Sequence, residues 1–291
     1  MLNLMVSPLE YNENGEKIAK KVVHYLKGEK VEYAVYFSPT IEDLEKNALD
    51  LTTQGETEFV VIGNDLVLNS FINSVQDLSN IHFGIIPTSK HDDFASYLDL
   101  ETNPIQAIKD ILENNIEEID YLTLNDMKVI NNILVGASTE IFEVYNQYKM
   151  KNVITKQLAM MRYGNTFEGI ELNIEMKAGK AKTENIFELS IANGGISKGK
   201  PVSPLSNVRD GLFNFNYALV MEKNERKKYL NLFRKGNQIY NEATQQFWIN
   251  SLKLTNPDNK IKALVDGKIM RLEEMEIGIV EKGLKILKKK G

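Results

Sequence analysis

The first part of the chain, up to about residue 122, alternates short apolar runs with stretches in which apolar residues recur at helical spacing. The runs have the length of strands and the spaced stretches the length of helices, so the pattern predicts strands and helices in turn. Predicted strands cover residues 2–6, 32–37, 59–61 and 83–87, and predicted helices 16–26, 41–53 and 104–114. Such alternation indicates a parallel sheet covered by helices on both faces, that is, a three-layer α/β domain.

From about residue 123 to residue 279 the pattern changes to short β-like runs separated by turn residues. The runs cover residues 128–136, 167–176, 188–193, 212–220, 251–254 and 263–266, and two stretches of helical spacing interrupt them at 139–163 and 223–235. Closely spaced strands joined by turns are typical of antiparallel sheets. We predict an antiparallel β-sandwich domain over this part of the chain.

Composition narrows the classes of function. The chain has 291 residues, of which 43% are hydrophobic, enough for two domains. A formal net charge of -5 argues against a general nucleic-acid binder, which needs a basic face. Without cysteine there are no disulfides or thiolate chemistry, and the scattered histidines do not predict a zinc site. No apolar run approaches the roughly 18 residues that span a bilayer, and the polar start is unlike a signal peptide, so we expect a cytoplasmic protein.

Two strand–loop–helix crossings carry the residues with candidate chemistry. In the first, residues 59–61 lead into Ile62-Gly63-Asn64-Asp65; in the second, residues 83–87 lead into Thr88 and then to Asp92-Asp93. The helix behind such a loop offers unpaired N–H groups and the positive end of its dipole to an anion. The pattern therefore favours a phosphate site with a carboxylate at each turn.

These residues resemble the signatures of the diacylglycerol kinase catalytic family, which includes bacterial soluble lipid kinases and is distantly similar to NAD kinases. The first signature is Gly-Gly-Asp-Gly-Thr, then Leu-Asn-Glu and Asn-Gly; the second is Pro, a variable residue and Gly-Thr-Gly-Asn-Asp-Phe-Ala. The matching residues are Gly63, Asp65, Leu68, Asn69, Asn73, Pro87, Asp93, Phe94 and Ala95. Further matches, in family order, are Ser7-Pro8, Ile119-Asp120, Ile191-Ala192-Asn193-Gly194, Pro204, Asp210-Gly211-Leu212 and Val265-Asp266-Gly267.

The resemblance implies a kinase that moves the γ-phosphate of ATP to a lipid hydroxyl with Mg²⁺, in a cleft between the two domains. It also implies that residues 280–291 return to the first domain, residues 1–122. The family pattern assigns nucleotide binding to Ser7, Pro8, Gly63, Asn64, Asp65, Leu66, Val67, Asn69, Thr88, Ser89, Lys90 and Asp93. It assigns metal binding to Asp210 and Leu212, and catalysis to Asp65, Asp266 and Lys268.

Several of these positions depart from the family pattern. Asn64, Leu66 and Val67 replace two glycines and a threonine of the first loop; Ser89, Lys90 and His91 replace Gly-Thr-Gly of the second. Asn64 tolerates left-handed geometry, whereas Leu66 puts a branched side chain on the phosphate path. Lys268 stands where the family has a glutamate, the proposed general base, and a lysine cation is a poor proton acceptor. We therefore expect impaired kinase activity; the alternative is a non-catalytic relative that binds a lipid, a nucleotide or a protein.

Structural roles compete with the functional ones. Asp65 and Asp93 are also good helix caps, Asp120 suits a structural role at a strand edge, and Asp210-Gly211 and Asp266-Gly267 are strong turn dipeptides. The basic segment 223–235 either lies on anionic lipid or packs its apolar stripe on the sandwich. The expected partner is a lipid, with peripheral membrane contact open, and the sequence leaves the oligomeric state undetermined.

Overall fold

The computed structural model describes residues 1–8, 14–88, 92–150, 152–176, 180–197, 199–201, 203–257 and 260–290. The chain divides into two compact units. Unit 1 comprises residues 1–121 and 280–291, and unit 2 comprises residues 122–279. No helix in the described part of the chain is long and apolar enough to cross a bilayer.

Unit 1 is built on a parallel sheet, as the alternating pattern predicts. Its strands and helices are β1 (Leu2–Val6), α1 (Gly15–Gly28), β2 (Tyr33–Phe37), α2 (Ile41–Thr53), β3 (Glu58–Gly63), α3 (Asp65–Ser74), β4 (His82–Pro87), α4 (Asp93–Tyr97), α5 (Pro104–Leu112) and the first part of β5 (Asn115–Leu124). The parallel order is β2-β1-β3-β4, and Lys285 and Ile286 add a further parallel partner to β4. The carboxyl ends of β1, β3 and β4 therefore lie side by side.

Helices pack on the sheet of unit 1 through two apolar groups. The first joins residues of β1, β3 and β4 to α1 and α5, with Leu4, Val60, Val22 and Ile108 fully buried. In the second, Phe71 of α3 packs between Phe59 of β3 and Phe83 of β4, at ring-centroid distances of 5.2 and 6.1 Å. Because side chains alternate between the faces of a strand, Phe59 and Val60 point to opposite faces, so both faces are covered.

Unit 2 is antiparallel. It contains β6 (Met127–Val129), β7 (Asn132–Gly136), α6 (Ala137–Gln147), α7 (Val153–Thr166), β8 (Ile170–Met176), β9 (Lys180–Ala192), β10 (Ile196–Ser197), β11 (Lys200–Pro201), β12 (Phe213–Leu219), α8 (Lys223–Lys235), a 3₁₀ turn (Gln238–Tyr240), β13 (Thr244–Ile249), β14 (Ser251–Thr255), β15 (Ile261–Val265), β16 (Lys268–Leu272) and the first part of β17 (Glu274–Lys288). Its core is a large apolar cluster drawn from β7, β8, β9, β12, β14, β15 and β17.

The long strand β9 links several antiparallel strands of unit 2. Apart from the short pair β10–β11, the described strands of unit 2 belong to one hydrogen-bonded network, because β9 is 13 residues long and pairs with three partners. Its first half pairs with β8, and its second half pairs with β7 and with β12. Strand β17 contributes to each unit in turn: residues 274–278 pair with β14 of unit 2, and residues 285–286 pair with β4 of unit 1.

The predicted helical stretch 139–163 is two helices rather than one. Asn152 and Thr155 cap the start of α7 with reciprocal bonds: each backbone N–H donates to the side-chain oxygen of the other, both at 3.0 Å. Such a capping box starts a new helix after a break. Ala159 of α7, Val144 of α6 and Tyr229 of α8 then join one apolar cluster.

Candidate functional site

The first crossing, from β3 to α3, is tighter than a flexible glycine loop. Asn64 is the single residue between the two elements, with an extended backbone (φ -96°, ψ -179°), and its Oδ1 accepts the N–H of Val67 at 3.1 Å. Asn64 is therefore an N-cap, and its extended backbone does not use the left-handed geometry that asparagine tolerates. A Cβ on Gly63 would lie 2.7 Å from Cβ and Cγ1 of Val67, so glycine is required for packing.

The cap changes what the loop offers to a phosphate. The first N–H groups of a helix are the ones that bind anions, and the Asn64 side chain occupies one of them, that of Val67. The Val67 side chain is fully buried against Gly63, so a contact of Val67 with a nucleotide would have to go through its backbone. Leu66 is half-buried at the second position of α3. Nucleotide phosphates therefore fit this crossing only in part.

Asp65 ties the first crossing to the second. Its carboxylate accepts the N–H of Asp93 at 2.8 Å and that of Phe94 at 3.3 Å, the first two residues of α4. Burial raises the pKa of Asp65 to about 7, with further increments from the negative charges of Asp92 and Asp93, while the two N–H bonds act in the opposite direction. Asp65 thus caps α4, not its own helix, and the fold brings Asp65 and Asp93 together as the sequence suggests.

Other predicted nucleotide-binding residues lie at the same ends of the strands. The N–H of Ser7 donates to the carbonyl of Ile62 at 2.8 Å, and that of Thr88 to the carbonyl of Gly63 at 3.3 Å. Ser7 and Pro8 are buried. Asn69 lies in the second turn of α3, where its carbonyl and Oδ1 accept from Asn73 Nδ2 at 3.0 and 3.2 Å. Ser89, Lys90 and His91 lie outside the described residues.

In unit 2, Asp266 supports a loop. Asp266 and Gly267 form the two-residue turn between β15 and β16, with φ of 42° and 85°. The buried Asp266 carboxylate accepts three backbone N–H groups: Ile130 at 2.8 Å, Asn131 at 3.0 Å and Asn132 at 2.9 Å. These bonds hold residues 130 and 131, which connect β6 to β7, and the first residue of β7, which favours the structural role of Asp266.

Lys268 follows this turn as the first residue of β16, and it is exposed. A lysine that works as a base needs a dry environment that removes its proton. The exposure of Lys268 counts against its replacing the glutamate of the family pattern.

The predicted metal residues form a turn in this structure. Asp210 is exposed, and its Oδ1 accepts the N–H of Leu212 at 3.1 Å around Gly211, whose φ is 70°. No group of three or more His, Asp or Glu side chains suited to a metal ion occurs among the described residues. Mg²⁺ commonly uses one or two carboxylates, several waters and phosphate oxygens, so Asp210 alone fits only as a partial ligand.

Two further buried carboxylates, those of Asp120 and Glu188, accept backbone N–H groups. Asp120 accepts the N–H of Lys282 at 2.8 Å, where β17 has a φ of 52°, which favours the structural role expected for it. Glu188, which the sequence analysis missed, accepts the N–H of Ser138 at 2.7 Å and also the Ser138 hydroxyl at the start of α6. Burial raises the pKa of Glu188 to about 8. Ser138 lies 50 residues away from Glu188 in the chain, so the sequence around Glu188 does not indicate this contact.

Comparisons with known proteins find similarity to lipid kinases. Residues 2–124 match the model of the diacylglycerol kinase catalytic domain. A candidate lipid kinase of Staphylococcus epidermidis is 26% identical over 247 residues, which are 78% of this chain and 75% of that protein. A diacylglycerol kinase of Staphylococcus saprophyticus is 25% identical over 203 residues, which are 66% of this chain and 63% of that protein.

The fold of the whole chain is similar to a solved structure. The crystal structure of a diacylglycerol kinase from Bacillus anthracis str. Sterne superposes with a TM-score of 0.74 at 15% identity, covering 99% of this chain and 96% of that one. The resemblance drawn from the sequence motifs is confirmed: residues 2–124 match the model of the diacylglycerol kinase catalytic domain, and the whole chain has a fold similar to that of a solved diacylglycerol kinase.

Proposed function

We propose that this protein is a lipid kinase with weak nucleotide binding and slow phosphoryl transfer from ATP–Mg²⁺ to a lipid hydroxyl. The observation that carries the proposal is the bond from Val67 N–H to Asn64 Oδ1. The protein keeps the strand-to-helix crossing of the family, but its own side chain occupies a donor that a phosphate would use.

The residues present define what each could contribute. Ser7, Thr88 and the start of α3 border the place where the family pattern puts nucleotide phosphates. Asp65 positions α4, and with a pKa raised to about 7 it exists in both protonation states near neutral pH. Asp210 is the candidate for one Mg²⁺ contact. Bound Mg²⁺ would neutralise phosphate charge, the main requirement of phosphoryl transfer.

Slow transfer follows from the acceptor side. A positioned general base contributes typically 10²–10⁴-fold, and an exposed Lys268 does not provide it. Asp266 is engaged by three N–H groups and is not free to take over.

The nucleotide part is tested by removing the cap. In Asn64→Gly the Val67 N–H is released at a cost to the helix of only a few tenths of a kcal/mol. We expect ATP–Mg²⁺ affinity, measured by titration calorimetry, to rise severalfold. Asn103→Gly is the matched control, because Asn103 caps α5 in the same way, accepting from Ile105 and Gln106. The proposal fails if the native protein already binds ATP–Mg²⁺ at low micromolar affinity, or if Asn64→Gly weakens binding.

A second candidate is a non-catalytic relative that binds a lipid. The engagement of Asp266 and the exposure of Lys268 favour it, since neither group is then required for chemistry. Lipid binding without phosphate transfer from ATP, in native protein and in Lys268→Glu alike, would select this candidate.

A further inference from the structure

Helix α7 has an apolar surface on the outside as well as on the inside. Ile154, Leu158 and Met161 are 70%, 49% and 60% exposed, and Met150, just before the helix, is 69% exposed. At four- and three-residue spacing, Ile154, Leu158 and Met161 lie along one face of the helix. Elsewhere in the described part of the chain, exposed large apolar residues are scattered singly. We call these four residues the α7 stripe.

The stripe is not the packing face of the helix. Ala159 is fully buried, and with the half-buried Met160 it belongs to the apolar cluster beneath α6, α7 and α8. The start of the helix is fixed by the Asn152–Thr155 capping box, and the Thr155 hydroxyl also donates to the carbonyl of Met150 at 3.0 Å. A helix with apolar residues on both sides needs a second apolar environment. The fold therefore presents the α7 stripe on a supported helix.

The charge around the stripe is positive. Residues 149–166 contain four basic and no acidic residues, and α8, which packs against α7, contains six basic and one acidic. These two segments thus hold ten of the chain's 35 basic residues and one of its 40 acidic residues, in a protein whose net charge is -5. Lys149, Arg162, Lys227 and Lys228 are exposed.

Helix α8 contributes charge and not an apolar surface. Its apolar residues Tyr229 and Leu230 are buried in the cluster, and Arg226 donates to the carbonyls of Met221 and Phe167, both at 2.7 Å. The apolar stripe of segment 223–235 therefore packs on the protein, the second of the two readings from sequence. The lysines on its opposite side remain in solvent.

We propose that the α7 stripe docks unit 2 on an anionic lipid bilayer, with its apolar side chains in the interface and the surrounding lysines and arginines against the headgroups. Apolar anchors within a basic surface are what interfacial helices use on anionic membranes. The choice of a bilayer as the occupant rests on the proposed lipid kinase function. A second copy of this chain on the stripe is the alternative that the experiment detects.

The absence of cysteine permits a direct test. Leu158→Cys, labelled with a polarity-sensitive fluorophore, is titrated with vesicles of equal parts phosphatidylglycerol and phosphatidylcholine. Leu205→Cys is the matched control, since Leu205 is 51% exposed in the same unit. We expect the label at 158 to shift to the blue and the label at 205 to remain unchanged. Equal response of the two labels, or none at 158, overturns the proposal.

The affinity for vesicles separates the apolar contribution to binding from the electrostatic one. Vesicle flotation should show native protein binding the anionic vesicles at least tenfold more tightly than phosphatidylcholine alone. Leu158→Ser should weaken binding roughly tenfold, and Leu205→Ser less than twofold. Charge reversal at Lys227 and Lys228 should weaken binding, whereas Lys21→Glu on α1 should not. Unchanged binding in Leu158→Ser, or a native dimer that Leu158→Ser dissociates, contradicts bilayer docking.

Phosphate transfer to a short-chain, water-soluble diacylglycerol is measured in parallel, because it needs no bilayer. Transfer to this acceptor without vesicle binding would overturn the docking and leave the kinase proposal in place. Vesicle binding through the stripe without any transfer would support the docking and count against the kinase.

Discussion

Asp266 provides the sharpest prediction, because its position in the family pattern suggests catalysis while its contacts suggest support. Replacing it with alanine removes the acceptor for the N–H groups of Ile130, Asn131 and Asn132, all in buried residues. Hydrogen bonds to a charged group contribute about 1.5–3 kcal/mol each, and three that share one carboxylate are not additive. We expect Asp266→Ala to lower the free energy of unfolding by about 4 kcal/mol.

Asp266→Asn is the companion variant. Asparagine suits the left-handed turn and keeps one acceptor oxygen, but its amide group faces an N–H that the carboxylate had accepted. We expect a loss of about 2 kcal/mol. Asp210→Ala is the control, because that exposed carboxylate accepts the turn hydrogen bond from Leu212 and should contribute less than about 1 kcal/mol.

The assay is urea unfolding followed by tryptophan fluorescence. The single tryptophan, Trp248, lies on β13 and reports on unit 2, the unit that contains Asp266. A loss below about 1 kcal/mol in Asp266→Ala would refute the reasoning and return Asp266 to the list of candidate catalytic groups.

Three further predictions concern unit 1 and the acceptor base. Because the pKa of Asp65 is raised to about 7, its contribution to stability is complete below about pH 4 and is lost as pH rises through 7. In unfolding measured against pH, the stability of native protein relative to Asp65→Asn should fall by up to about 4 kcal/mol over that range. A stability difference that does not change with pH would contradict the shift. Radiolabelled phosphate transfer to diacylglycerol, other glycerolipids and sphingoid bases should be very slow in native protein and faster in Lys268→Glu; robust native turnover that drops in this variant would oppose the impaired-kinase proposal. Gly63→Ala should destabilise by about 1–3 kcal/mol because its Cβ meets Val67, and the Gly63→Ala/Val67→Ala double variant should show less than the sum of the two single losses.

The sequence predicts the elements of this protein where local pattern decides them. Strand β1 and helix α8 begin and end at the predicted residues, because an apolar run or a helical period fixes them without distant partners. Strands β5, β13, β16 and β17 were missed, because each mixes polar with apolar residues and contains no long apolar run.

The site shows the same division. The meeting of Asp65 with the start of α4 follows from the order of parallel strands, which the sequence indicates. The roles of Asn64 and Asp266 depend on which N–H groups the fold brings close to their side chains. The N–H groups that Asp266 accepts lie more than 130 residues earlier in the chain. The residue type shows that a side chain can accept a hydrogen bond, but not which N–H group donates it.

The path of β17 has a consequence for the order of folding. Leu284, Ile286 and Leu287 are buried in unit 1, yet they follow the whole of unit 2 in the chain. During synthesis, the edge of β4 that pairs with β17 therefore stays unpaired until the whole of unit 2 has been made. An unpaired strand edge invites association with other chains. Newly made protein is thus most prone to aggregate before residues 280–288 arrive, and deletion of this segment should prolong that exposure indefinitely.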